Sequence, residues 1–413
     1  METAVKWLLS ISGVFTVLLS GNGFCQYIPS RIEYVADIYE WRVDVFAGAA
    51  NANGFVQGPL RQAGIGHGTW SMCFFPDGQA FLALDGLIMT ITHDRIVRFL
   101  AGTPGVTGYQ DGLAAQALLG REISVCPDGK GGLYIGDRSN RCLRRLTSKE
   151  KQWLVETVAG SQDQPPSEDL LRCVREENKL PPVTLKAELI DGTGKKARFS
   201  YLHANVIADA EGNAYLMDSN YLRRITPQGT VETLNPKGGT GPPAQEEEEP
   251  LESAKFRLIM GGGMCFGGDG NIYVADRWNH CIRKVDLRRK TVSIAVGPGR
   301  GYVDGPEKRC GFHDSPSLIV YDPYRKRFYI SGVDDWGLRT WEKGFMKTIA
   351  GGNNKNKGLE GPAKESLIQW GRVIAVDPRP PHDIYFRSGG PFWHGRIGRL
   401  FRPADHGQKE GNR

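Results

Sequence analysis

The feature that most constrains this chain is an internal repeat. A turn, an alternating strand with a central aromatic and a closing Asp recur along it. The pattern reads Asp77-Gly-Gln-Ala-Phe-Leu-Ala-Leu-Asp85, then Asp128 through Leu133-Tyr-Ile-Gly-Asp137. It returns as Asp209 through Ala214-Tyr-Leu-Met-Asp218 and as Asp269-Gly-Asn-Ile-Tyr-Val-Ala-Asp276. Two looser copies run from Asp322-Pro through Phe328-Tyr-Ile to Asp334, and from Asp377-Pro through Ile384-Tyr-Phe to Ser388. The aromatic column is Phe81, Tyr134, Tyr215, Tyr273, Tyr329 and Tyr385, at spacings of 53, 81, 58, 56 and 56 residues. A second marker is a strand ending in Ala-Gly, at Gly48, Gly102, Gly160 and Gly351; Val296-Gly297 and Thr233-Leu234 fill the other two places. A third follows the closing Asp: Ile96-Val-Arg, Cys142-Leu-Arg-Arg, Tyr221-Leu-Arg-Arg, Cys281-Ile-Arg-Lys, Leu338-Arg and Ile397-Gly-Arg.

Asp-Gly and Asp-Pro punctuate turns, and short β-branched and aromatic runs between them make strands. One such unit has an apolar face it cannot bury alone. Six of them close into an all-β ring, a six-bladed β-propeller, which protects most sheet edges. Glycine at 53 of 413 residues disfavours a helix-rich enzyme. The last unit lacks its final strand, and Trp41-Arg-Val-Asp-Val-Phe46 supplies one. The N-terminal strand is therefore expected to complete the last blade and latch the ring, within a propeller spanning 41–402. Insertions fall near 161–198 and 238–250. The second holds the acidic run Glu246–Glu249, expected to be a solvated loop. A tail covers 403–413.

These markers resemble the NHL repeat family, most closely from Asp269 to Lys284, with Val158-Ala-Gly, Asp304-Gly and Ala254-Lys-Phe256 as further elements. The resemblance implies the propeller fold. It implies no single activity, because the family includes binding propellers, a lyase acting on peptidyl-hydroxyglycine and relatives of lactonases.

The N-terminus carries Lys6, a 13-residue apolar run from Trp7 to Leu19, and mostly small and polar residues from Ser20 to Cys25. That is the pattern of a secretory signal over residues 1–25, with a lead-in over 26–40. A secreted or periplasmic protein follows, with a lipid anchor on Cys25 the lesser alternative. The apolar run is shorter than the roughly 20 residues of a spanning helix. No cysteine pair is spaced C-x-x-C, so most of the 8 cysteines read as buried thiols, with Cys173 and Cys310 freest to pair. A net charge of +6 with basic clusters at hairpin turns does not call for nucleic acid. The chain is expected to be monomeric.

A propeller recognises ligands over its channel, where the innermost strands begin. The register brings Trp70, Arg121, Glu122, His203, Asn205 and Arg372 to that mouth, and loops after the closing Asp add Trp278 and Trp336. Aromatic rings flanked by donors suit a saccharide, a peptide or a partner protein. A divalent metal is the other possibility. Glu122 and Asn205 could offer oxygens to calcium, as the lactonase-like relatives imply. His67, His203 and His313 could converge on zinc, as the lyase implies. The expected function is a binding module at the channel face. A metal-dependent hydrolase or lyase is the alternative, and no catalytic residue is assigned.

Overall fold

A computed structural model describes residues 7–9, 15–17, 41–49, 54–66, 69–161, 189–244, 247–258, 262–299, 301, 303–312, 316–332, 337–351, 361–365, 372–387 and 396–406. Trp7–Leu9 and Phe15–Val17 pair as a short antiparallel hairpin outside the blades. No helix among the described residues is long and apolar enough to cross a membrane.

The rest is a six-bladed β-propeller. Each blade is an antiparallel sheet of four strands with a short fifth at its outer edge. Blade 1 runs outward from Ser71–Phe74 through Ala80–Leu84, Leu87–Ile91 and Ile96–Gly102 to Gly58–Pro59. The innermost strands of blades 2 to 6 are Ile123–Pro127, Leu202–Ala208, Met264–Phe266, Pro316–Asp322 and Arg372–Val376. Each touches its neighbours in order around the ring, and the sixth touches the first.

Closure occurs as the sequence predicts. Arg42–Ala47 pairs antiparallel with Ile397–Phe401 and becomes the fourth strand of blade 6, with Arg42 opposite Phe401. Its inward side chains, Trp41, Val43 and Val45, are buried with Leu338, Ile384 and Leu400. The apolar clusters lie between blades rather than within them. One, for example, joins Phe81 of blade 1 to Ile123 and Leu133 of blade 2. All six residues of the aromatic column are buried on second strands. The Tyr134 hydroxyl donates across the blade boundary to the Gly212 carbonyl at 2.7 Å.

The Ala-Gly marker has a backbone cause. The register between third and fourth strands slips at Phe99/Ala101, Leu143/Arg144, Ile282/Arg283 and Leu338/Arg339. The chain leaves each of these blades through a residue at positive φ, such as Gly102 at 89° and Gly160 at 85°, which glycine adopts without strain. In blade 3, Asn235 takes that place. Its Oδ1 accepts from the Leu222 N–H and its Nδ2 donates to the carbonyls of Asn220 and Ala254.

Three expectations are corrected. Ile96-Val-Arg98 lies on the fourth strand of blade 1, and Leu87–Met89 occupies the third-strand position. The acidic run is no solvated loop over its described part: Glu248–Pro250 is the outer strand of blade 4, and Glu249 is buried on Arg283. Cys310 is wholly buried, with its Sγ donating to the Glu307 carbonyl. Cys73, Cys126, Cys142, Cys265, Cys281 and Cys310 are all free thiols, and burial pushes their pKa values up. Cys173 and most of the 161–198 insertion lie outside the described residues.

The third-strand arginines form a repeated hub. Arg144, Arg223, Arg283 and Arg339 are at most 1% exposed. Each bonds carbonyl oxygens and an acid from the outer edge of its blade. Arg144 reaches Asp111 at 2.7 Å and the Leu118 carbonyl at 2.6 Å. Arg223 reaches Asp191 at 3.1 Å and the closing Asp218 at 2.8 Å. Arg339 reaches Asp304 at 2.8 Å and the Gly311 carbonyl at 2.6 Å. Arg283 takes Glu249 and the closing Asp276. A buried guanidinium persists only when its donors are used in this way.

Candidate functional site

Antiparallel order places the start of each innermost strand beside the loop between second and third strands. Both therefore open on one face, the channel mouth. The closing Asp organises it. Asp218 accepts the N–H of Ser200 and Tyr201, at 2.9 and 2.7 Å, as the chain enters blade 3. Asp276 accepts the Arg257 N–H at 2.8 Å. Asp85 accepts the Trp70 indole N–H at 2.7 Å and the Glu122 N–H at 2.8 Å, which ties blade 1 to blade 2.

Glu122 sits at φ 54°, a conformation that costs a non-glycine residue on the order of 1 kcal/mol. Its backbone is held by Asp85, and its carboxylate pairs with Arg138. The Arg138 guanidinium also lies 4.1 Å from the centre of the Tyr201 ring. Tyr201 meets His203 edge-on, with ring centres 5.2 Å apart. These contacts make one chain of charge and aromatic rings from blade 1 to blade 3.

His203 is 4% exposed. Its Nε2 lies 2.8 Å from the Ser219 carbonyl, an acceptor only, so Nε2 carries the proton. Nδ1 is then a bare acceptor, with no hydrogen-bond partner among the described residues. Burial, and then the positive charges of Arg138 and Arg277, push the imidazole pKa down to about 4. His203 is a neutral group below the rim at neutral pH.

Asn205 faces blade 4, where its Oδ1 accepts the Met264 N–H at 2.7 Å. Trp278 is 37% exposed and packs beside the Arg257 guanidinium at 5.9 Å. Arg121 is exposed; its N–H donates to the Ser139 hydroxyl at 2.8 Å. The Arg387 guanidinium lies 5.8 Å from the Trp70 ring and donates to the Thr69 carbonyl at 2.9 Å. Arg372 begins the blade 6 innermost strand, opposite Arg387 in register.

The structure thus brings Trp70, Glu122 and His203 into one network, with Arg121 and Trp278 at the same rim. Asn205 works between blades. Trp336, His67 and His313 lie outside the described residues. Among the described residues, no three His, Cys, Asp or Glu side chains stand together as a metal-binding group. Sequence reasoning missed Tyr201, Arg257 and Arg387. Tyr201 carried a signal, since it is an aromatic two residues ahead of His203.

Comparison with known proteins agrees with this architecture. The class is a six-bladed β-propeller in which one stretch, residues 262–285, matches the NHL repeat. Among solved structures, an auxiliary nutrient binding protein from Bacteroides ovatus ATCC 8483 is similar at 13% identity and TM-score 0.56, over 88% of this chain and 77% of that one. A second auxiliary nutrient binding protein, from Bacteroides thetaiotaomicron VPI-5482, is similar at 12% identity and TM-score 0.54, over 96% and 82%. A structural genomics protein of unknown function from Bacteroides thetaiotaomicron VPI-5482 aligns at 14% identity and TM-score 0.55, over 87% and 75%. No curated protein matches the sequence.

Proposed function

We propose that the chain is an exported recognition module that takes a protein, peptide or saccharide ligand at its channel mouth. The observation that carries this reading is the rim itself. Three guanidinium groups stand beside three aromatic rings there: Arg138 at Tyr201, Arg257 at Trp278 and Arg387 at Trp70. Flat apolar rings next to fixed donors are a binding chemistry, because they gain from stacking and hydrogen bonding without any bond being broken. The strain at Glu122 supports the same reading, since strained residues gather where a surface is held ready for a ligand. The export half rests on the charged start and apolar run of the first 25 residues. Two of the similar folds are described as nutrient binding proteins; at 12–13% identity that likeness speaks for the fold alone.

The test is an array of glycans and peptides probed with the exported chain, then with Trp278→Ala and Arg257→Gln. The expected result is one ligand class, weakened about tenfold or more by either substitution, about 1.4 kcal/mol. Binding indifferent to both changes, or no binding across the array, would overturn the reading. Elemental mass spectrometry before and after chelation accompanies it. A calcium or zinc ion lost in Glu122→Ala or His203→Ala would replace the binding role with metal-dependent hydrolysis or elimination.

A further inference from the structure

The face opposite the mouth has a chemistry of its own. The hairpins between first and second strands, and between third and fourth, turn back there. Exposed cations hold tip positions in the left-handed region: Arg95, Lys151, Lys290, Lys326 and Lys343, at φ 50° to 66°. That conformation disfavours any residue with a side chain, and the blade 3 tip fills it with Gly229. None of these cations makes an ion pair among the described residues. Glu150, next to Lys151, is an acid at the same kind of position.

Acids of the same hairpins turn the other way. Asp128 and Asp322 are buried. Asp128 accepts the N–H of Lys130 and Gly132 at 2.7 and 2.8 Å, and Asp322 those of Tyr324 and Arg325 at 2.9 and 3.0 Å. Asp94 is shared with Arg98 at 3.0 Å, and Asp269 with Lys284 at 2.9 Å. These turns use their carboxylates internally and leave the tip cations facing water. Two exposed rings stand among the cations of blade 5: Tyr324, two residues before Lys326, and Phe345, two residues after Lys343. The chain also enters the ring here. Arg42 opens the latch strand opposite Phe401, where the third strand of blade 6 ends. The residues ahead of Trp41, with the apolar run Trp7 to Leu19 among them, therefore join the propeller on this face.

We propose that this face seats the propeller on an anionic phospholipid bilayer. The tip cations meet headgroup phosphates. Tyr324 and Phe345 enter the headgroup layer, the depth at which aromatic rings sit well. A soluble polyanion would use the cations and leave the rings in water, so the two together favour a bilayer. The mouth then points away from the membrane, open to its ligand. The inference is independent of what that ligand is.

The experiment is co-sedimentation of the exported chain with vesicles of phosphatidylcholine, alone or with about 30% phosphatidylglycerol. The expected result is saturable binding to the charged vesicles only, weakening as salt screens the charges. The variant K151Q/K290Q/K326Q/K343Q keeps its Tm, since all four side chains are exposed. It binds about a hundredfold more weakly, because each cation near such a surface contributes roughly fivefold. The charge-keeping set K151R/K290R/K326R/K343R retains the parent's affinity. Y324S/F345S binds about tenfold more weakly, from the apolar area lost. Equal binding to neutral vesicles, no saturable binding, or binding retained in the glutamine variant would overturn the proposal. Heparin bound as tightly as the charged vesicles, with Y324S/F345S binding the vesicles as well as the parent does, would overturn the choice of a bilayer.

Discussion

Blades 2 to 5 and the two blades at the seam solve the same problem differently. In blades 2 to 5 the third strand carries a buried arginine that gathers an outer acid and nearby carbonyls into one hub. In blade 1 the equivalent position is Met89, and the outer acid is replaced by Gln57, whose Oε1 accepts the Phe99 N–H at 3.0 Å. In blade 6 it is Gly398, where a side chain would run into the Phe386 ring. The outer-edge residue thus changes with the arginine: an acid where the cation is buried, an amide where an apolar side chain takes its place. Blade 6 relies instead on a strand from the other end of the chain and on the partly buried Asp44–Arg399 pair.

The largest expected effect is at the latch. Deleting 41–47 removes buried Trp41, Val43 and Val45. At roughly 1.5–3 kcal/mol per buried side chain, the loss is comparable to a whole domain's stability. Urea unfolding should lose its single cooperative transition. An unchanged midpoint would show that the seam contributes little and reverse the comparison. Next comes the hub. Arg223→Met leaves Asp218 and Asp191 without their cation, and should cost about 3–5 kcal/mol. Adding Asp191→Gln recreates the blade 1 pair and should recover about 1–2 kcal/mol. If it recovers nothing, the covariation has no energetic basis.

The third effect separates the regions by pH. The folded pKa of His203, about 4, lies below the usual 6.5, so the unfolded chain takes the proton first. The stabilisation is complete above about pH 6.5 and is lost as pH falls toward 4, by about 3 kcal/mol at most. His203→Gln should show a correspondingly shallower loss between pH 7 and 4.5 in denaturant melts; parallel curves would refute it. The smallest effect belongs to the seam pair. Arg399→Gln should cost about 1 kcal/mol or less, since both partners keep access to water.

The fold was legible because its markers answer to local physics. The Asp turns and the aromatic column recur blade by blade, the missing final strand marks the seam, and each is present in three dimensions. The blade 4 acid was not legible, for a physical reason. Register sets Glu249 opposite Val292, the place that Gly112 and Gly192 take opposite Val155 and Val231. The ion pair has therefore slipped by one residue, and the longer Glu side chain spans the difference. The arginine marker was visible, but nothing in a row of Arg and Lys says which guanidinium turns inward. At the mouth, position in the repeat identified His203 and Glu122. It could not show that one is buried neutral and the other engaged by Arg138, because both depend on side chains from adjacent blades.

The pairing of Arg42 with Phe401 makes the ring a proximity reporter for its own integrity. Adjacent strands sit about 4.8 Å apart. Donor and acceptor dyes placed just outside residues 41 and 402 would therefore report maximal energy transfer only while blade 6 is intact. Opening at the seam would extinguish that signal while leaving the hub-bearing blades 2 to 5 folded. The same adjacency predicts that a circular permutant, with these ends joined and new ends cut in the long insertion of blade 3, keeps every blade and loses only its latch.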